Sequence, residues 1–281
     1  MTVSNNHIKF APFGRRSLLT SCSLCIVITV LLCFPSCAVA WEEDPDIGGL
    51  FKHARIEGTF VLYDVTEKKF TGYNQTRAET RYIPASTFKI ANSLIGLSSG
   101  AVTSVDEILP YKGPAEPFIP EWGHDMGLRR AIVISNVPIY QELARRIGLE
   151  RMRDGLVKLD YGNRETGNVV DRFWLDGPLK ISALEQTAFL AKLVQDSLPL
   201  PKKVQESVRE ILLLEAGADW KLYGKTGWQN APDRGIGWLV GWVEKKGRFY
   251  VFAMNIDVDK PADAAERMKL SKACLQLLGL L

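Results

Sequence analysis

The sequence predicts an α/β (α+β) fold: an antiparallel sheet flanked by N- and C-terminal helices, with an all-helical region inserted between its strands. Three observations predict it. β-rich runs lie near both ends of the chain, helix-period patterns fill the middle, and the last two strand-like runs are too continuously apolar to have a wet face. With 281 residues, 46% hydrophobic and 24% charged, the chain is long enough to bury a large core.

The first forty residues stand apart. Lys9, Arg15 and Arg16 precede an uncharged run from Ser17 to Ala40, whose apolar heart, Leu24 to Phe34, is broken by Pro35 and Ser36. Ala38-Val39-Ala40 then gives the small-x-small pattern of a signal peptidase site. Residues 1–40 read as a secretory signal peptide cleaved before Trp41, which sends a chain of residues 41–281 to the periplasm. Two other readings stay open. An uncleaved anchor asks for a longer apolar core, and lipidation of Cys37 asks for a better approach than Phe34-Pro35-Ser36; Arg15-Arg16 is a faint twin-arginine pattern.

Removing the segment changes the totals. Of 35 Lys and Arg residues it takes three and no acidic residue, so 32 basic groups face 32 acidic ones, and nothing suggests nucleic acid as a partner. Four of the five cysteines leave as well; Cys274 remains alone, and an intramolecular disulfide is impossible. His53 and His124 have no ligand spacing around them. A metal centre and a Ser-His-Asp triad are therefore not expected, nor is a stable membrane association of the cleaved chain.

From Trp41 onward, an acidic stretch leads into a short helix over Ile47 to His53. Thr59–Asp64 and Lys69–Tyr73 flank a polar Glu67-Lys68 turn and form a hairpin. A helix after Pro84 carries Ser86 and ends near Ser98-Ser99-Gly100. Residues 100–130 are irregular and rich in Pro and Gly, which in a compact domain marks a functional loop. Helices follow over 138–147, stopped by Gly148, and over 150–159. Ser182-Ala183-Leu184-Glu185 is a capping box that opens a helix to about Gln195, and a further helix covers 202–214. Gly237–Val243 and Phe249–Asn255 are central strands, and an amphipathic helix from about Asp263 to Leu280 ends the chain. The sheet part thus takes about 41–84 plus 220–281, the helical part about 85–219, with the cleft between them as the default site.

Ser86-Thr87-Phe88-Lys89 places a hydroxyl and an amine one helical turn apart. A serine needs an adjacent base, and an amine serves as one only when burial keeps it neutral. Ser135-Asn136-Val137 offers a second hydroxyl before a helix. Tyr161-Gly162-Asn163 reads as a tight turn, Trp174-Leu175-Asp176-Gly177 places an indole N–H in a loop, and Lys225-Thr226-Gly227-Trp228 offers a lysine, a hydroxyl and close backbone approach at a strand. Taken singly, each has an ordinary structural reading as strand end, cap, turn or core residue. Their joint occurrence, with Ser-x-Val about 46 residues after Ser-x-x-Lys and Lys-Thr-Gly about 90 beyond, does not.

In this combination the chain resembles the penicilloyl serine transferases, and within them the class D (oxacillinase-type) serine β-lactamases, over nearly all of residues 41–281. Ser86-x-x-Lys89, Ser135-x-Val137, Tyr161-Gly162-Asn163, Trp174-x-x-Gly177 and Lys225-Thr226-Gly227 reproduce that class in order. Transpeptidases and carboxypeptidases of the superfamily show Ser-x-Asn where Val137 stands. β-Lactam receptors that are acylated without turnover carry several membrane helices before the domain. The resemblance implies a DD-peptidase/β-lactamase-like fold and an exported enzyme that hydrolyses β-lactams and confers resistance. It implies Ser86 as nucleophile and Lys89 as N6-carboxylysine, formed with CO2, as general base. Trp174 would hold the carbamate, Ser135 would relay a proton to the lactam nitrogen near Lys225, and the amides of Ser86 and Trp228 would form the oxyanion hole. Thr226 and Arg267 would bind the substrate carboxylate, with Val137 and Gly227 lining the site. The expected partner is a small β-lactam, with no cofactor besides CO2.

Overall fold

The computed structural model describes residues 41–230, 235–260 and 264–281; the signal-like segment 1–40 lies outside them. β1 (Trp41–Glu43) leads into α1 (Pro45–Ala54), whose first turn is capped by Asp44 Oδ1 accepting from the amides of Asp46 and Ile47 at 2.9 and 3.1 Å. β2 (Gly58–Asp64) and β3 (Lys69–Tyr73) form the expected hairpin, with Asp64 Oδ1 accepting from the turn amides of Thr66 and Glu67. α2 (Gln75–Glu79) follows, and then a 3₁₀ turn, Ala85–Phe88, that runs directly into α3 (Lys89–Ser98).

The middle of the chain is helical: α4 (Leu128–Val133), α5 (Val137–Ile147), α6 (Leu149–Leu159), α7 (Ala183–Val194) and α8 (Lys202–Glu210). The capping box of α7 is formed in both directions, Glu185 N to Ser182 Oγ at 3.1 Å and Ser182 N to Glu185 Oε2 at 2.9 Å. β4 (Leu213–Ala216), β5 (Trp220–Gln229), β6 (Gly235–Lys245), β7 (Arg248–Val258) and α9 (Glu266–Leu277) complete the described chain.

The seven strands form one sheet in the order β1-β3-β2-β7-β6-β5-β4, antiparallel throughout except for β1 with β3. β6 and β7 are central because both of their faces are apolar. Trp238, Val240, Trp242, Val251 and Ala253 pack into the core shared with the inserted helices, while Leu239, Val243, Phe252, Met254 and Ile256 pack with α1 and α9. The alternation of side chains sends each strand into two cores at once.

One expectation is corrected, and two stretches gain detail. The helix over 202–214 stops at Glu210, and Leu213 pairs with Tyr223 as an edge strand; the apolar run Ile211–Leu214 fits either period, and β5 supplies the partner that decides. The acidic stretch after Trp41 joins the sheet, Trp41 to Glu43 lying beside Phe70 to Gly72. The irregular region 100–130 holds a 3₁₀ turn at Pro120–Trp122 and the start of α4. The expected start of the last helix at Asp263 lies outside the described residues.

Candidate active site

The turn that carries Ser86 is fixed from behind. Tyr82 and Ile181 exchange backbone hydrogen bonds at 2.9 Å, and Trp238 Nε1 on β6 donates to Ile83 O at 2.9 Å. Thr87 Oγ1 donates to Pro84 O at 2.8 Å and accepts from Gln186 Nε2 on α7 at 2.9 Å. Gly162, at φ +55°, brings the Tyr161-Gly162-Asn163 turn so close to Lys180 O that a Cβ would sit 2.2 Å from it, while Asn163 Oδ1 accepts from Lys180 N at 2.9 Å. These bonds tie residues 178–181 both to Asn163 and, through Ile181, to Tyr82 ahead of Ser86. Ala85 itself is held at φ +48°, a left-handed conformation costing a non-glycine residue roughly 1–2 kcal/mol. Neighbours impose it, which leaves Ser86 half-buried at the mouth of the turn.

Lys89 opens α3 and is fully buried, with Nζ 2.8 Å from Ser86 Oγ and 5.3 Å from the centre of the Tyr140 ring. Among the described residues no carboxylate stands beside it: burial first, and then the charge of Lys225, hold its amine well below the ordinary lysine range. A neutral amine is the form that can react. Around it, Phe88 packs against Tyr161, Phe173 and Trp174 at centroid distances of 5.6, 5.2 and 5.3 Å. Trp174 is fully buried in this cluster, and its Nε1–H has no hydrogen-bond partner among the described residues. A buried indole donor without an acceptor is costly unless a further group arrives to accept from it.

Ser135 stands between α4 and α5 with φ +57°. Its amide donates to Ile132 O at 3.2 Å and the amide of Asn136 donates to Ala131 O at 2.8 Å. This is a Schellman ending to α4, with serine where glycine usually sits. Asn136 is fully buried and caps α5 through Oδ1, which accepts from Ile139 N at 3.0 Å. Val137 is the half-buried first residue of α5, and Tyr140 stands one turn further along.

The third side of the site is β5. Tyr223 packs toward the inserted helices and Leu222 and Trp228 toward α9, so alternation puts Lys225 and Gly227 on the Lys89 side and Thr226 on the Arg267 side. Gly227 lies against the Ala85–Phe88 turn, where a Cβ would be 2.9 Å from Pro84 O and 3.0 Å from Thr87 Cγ2. Lys225 is buried; its Nζ donates to Thr226 O at 3.0 Å and Thr226 Oγ1 at 3.3 Å. Burial, and secondarily Arg267, lower its pKa to about 7. Arg267, at the start of α9, donates to Ala264 O; burial lowers its pKa, and its Nε has no partner. Among the described residues β4 pairs with β5 only from Leu213↔Tyr223 to Ala216↔Lys221. The outer edge of Lys225–Gln229 therefore carries no strand. A cavity of about 250 Å³ opens there, lined by Val133, Leu213, Leu214, Lys225 and Thr226 among others.

The structure thus brings Ser86 and Lys89 into direct contact and sets Lys225 close enough to both Lys89 and Arg267 for their charges to be felt. It places Trp174 against the Phe88 ring. Tyr140 and Gln186 were not singled out in the sequence. Tyr140 was legible as the residue one turn after Val137, and Gln186 had no local signal. Among the described residues no group of three His, Cys, Asp or Glu side chains is arranged to hold a metal ion, and no helix is long and apolar enough to cross a membrane.

Residues 58–276 match the family model of the penicillin binding protein transpeptidase domain. β-Lactamase OXA-5 of Pseudomonas aeruginosa is 37% identical over 246 residues, covering 86% of this chain and 90% of its own. β-Lactamase OXA-48 of Klebsiella pneumoniae is 36% identical over 254 residues, covering 90% of this chain and 96% of its own. Among solved structures, FUS-1 (OXA-85), a class D β-lactamase from Fusobacterium nucleatum subsp. polymorphum, aligns with a TM-score of 0.83 at 42% identity, over 85% of this chain and 100% of that one.

Proposed function

The chain belongs to the class D β-lactamases, and from that premise we propose that it is exported to the periplasm and hydrolyses penicillin-type β-lactams through an acyl-Ser86 intermediate, so conferring resistance to them. The observation that carries the assignment of roles is the contact of 2.8 Å between Ser86 Oγ and the buried, charge-averse amine of Lys89. Lys89 in this setting is a weak candidate for a permanent ammonium and a good one for carboxylation, since only a free amine adds CO2. The partnerless indole N–H of Trp174, in the same aromatic cluster, fits the added carboxylate as a donor. Carboxylated, Lys89 supplies a carboxylate general base for both half-reactions.

The chain's other residues then divide the work. Ser86 Oγ attacks the lactam carbonyl carbon as it loses its proton, and the carbonyl oxygen takes the charge, facing the amides of Ser86 and Trp228. One such donor is worth about 3–4 kcal/mol in comparable acyl transfers. The C–N bond breaks, and Ser135, at the end of α4, passes a proton to the nitrogen. Lys225, poised near pH 7, gains charge as the substrate carboxylate settles against it, Thr226 and Arg267. Water then attacks the ester, the C–O bond to Ser86 breaks, and Ser86 recovers its proton. Val137, Tyr140 and Phe88 keep the Lys89 side of the cleft dry.

The test is a progress curve with nitrocefin at neutral pH in bicarbonate. Sustained turnover is expected; a burst equal to the enzyme concentration followed by a flat line would assign a sensor-like, acylated end state instead. Stripping CO2 at acidic pH should remove activity and added bicarbonate should restore it. Export is checked by cell fractionation and the mass of the mature N-terminus.

A further inference from the structure

Ser135 is the one serine of the cleft held in a left-handed turn, and both of its neighbours in sequence are gripped by a single residue of the 118–126 loop. Trp122 Nε1 donates to the carbonyl of Ile134 at 2.9 Å, just before the serine. Just after it, Asn136 Nδ2 donates back to the carbonyl of Trp122 at 3.0 Å. The second amide hydrogen of Asn136 reaches Met126 Sδ at 3.6 Å, and its Oδ1 accepts from Ile139 N. The fully buried amide thus has a partner for its nitrogen on both Trp122 and Met126 and one for its oxygen on Ile139. Trp122 is itself half-buried and anchored, its amide donating to Ile119 O at 2.9 Å.

The arrangement is a two-point bracket around a strained residue. A serine at the left-handed position of a helix ending has no intrinsic preference to stay there. If the turn relaxes, φ at Ser135 changes and its Oγ swings away from the cleft. The bracket opposes that by tying the carbonyl before the serine and the side chain after it to one residue, Trp122. Neither group needs to touch the substrate for this.

We propose that Trp122 and Asn136 are positioning residues that hold Ser135 in the left-handed conformation from which its hydroxyl delivers the proton to the lactam nitrogen. The inference rests on the role given to Ser135 above. Two variants isolate the bracket. Trp122→Phe keeps the ring but deletes the donor to Ile134 O; Asn136→Asp keeps the cap on α5 but deletes the donor to Trp122 O.

Each variant should lower kcat about tenfold or more, the scale expected for a misplaced catalytic group, and leave KM within about threefold. In a Ser135→Ala background the same two changes should alter kcat by less than about twofold, because there is no hydroxyl left to misplace. An equal loss of kcat in both backgrounds overturns the bracket, as does a change confined to KM, which would make Trp122 a wall of the substrate site. If Ser135→Ala itself turns over at the parent rate, the role of Ser135 fails, and the proposal with it. Circular dichroism melting confirms which variants fold; if one does not, the other decides by the same comparison.

Discussion

Two lysines, on opposite sides of the same cleft, are equally buried and are put to different uses. Lys89 sits among aromatic rings with a serine hydroxyl as its polar neighbour, whereas Lys225 lies along a strand edge with a carbonyl and a hydroxyl within hydrogen-bond reach. Burial dominates the pKa of both, but the residual charge differs in source: Lys89 is repelled by Lys225, and Lys225 by Arg267. The chain of cations thus weakens from Arg267 inward. The guanidinium keeps its charge, Lys225 is poised near neutrality, and Lys89 is furthest from being charged. Burial alone does not define a lysine's chemistry; these two differ in their oxygen partners, a single serine hydroxyl at Lys89 and a carbonyl plus a hydroxyl at Lys225.

The comparison breaks first at Lys89. Lys89→Ala should lower steady-state turnover by about 10³-fold or more, the scale of a lost general base, while mass spectrometry finds any slowly formed acyl-enzyme accumulating. Parent-like turnover would show that the amine carries no base.

Lys225→Met should act mainly on substrate binding, raising KM by about tenfold or more as the desolvated cation is lost. It should also change the response of stability to pH. Folding lowers the Lys225 pKa from 10.5 to about 7, so between those values the unfolded chain binds more protons than the folded one. Unfolding free energy therefore rises with pH across that window and loses the benefit as pH falls toward 7. Urea unfolding at several pH values should give a shallower rise for Lys225→Met than for the parent. An unchanged slope would mean that Lys225 keeps its proton in the fold.

Gly227→Ala should be milder. Its methyl would lie 2.9 Å from Pro84 O, in backbone rather than in a flexible side chain, so β5 or the nucleophile turn must shift. A loss of about 1–3 kcal/mol in stability is expected from such overpacking, with reduced kcat/KM. Trp174→Phe is the smallest. Deleting a buried donor that has no acceptor should change stability by less than about 1 kcal/mol. If the indole holds the carboxylated lysine, more bicarbonate will be needed for half-maximal activity; an unchanged bicarbonate requirement would remove Trp174 from that role.

Parts of this molecule were legible in one dimension because their signals are local. The Glu67-Lys68 turn, the Ser182–Glu185 capping box and the apolar length of β6 and β7 depend on residues within a few positions, and the structure has them where expected. Ile211–Leu214 misled because an apolar run satisfies both periods until a partner strand is present. Trp41–Glu43 gave no strand signal, since its pairing comes from β3. The clamp of Trp122 on Ser135 was invisible for the same reason: its hydrogen bonds join a loop to the ends of two helices.

The order of Ser86, Lys89, Ser135, Val137, Lys225 and Thr226 along the chain, by itself, determined which chemistry this protein belongs to, because a hydroxyl one helical turn from an amine is a matter of spacing. The tertiary structure alone decided how strongly protonation of that amine is disfavoured. A pKa is set by what lies around a group in space, and the Tyr140 ring and Lys225 come near Lys89 only once distant segments of the chain pack together.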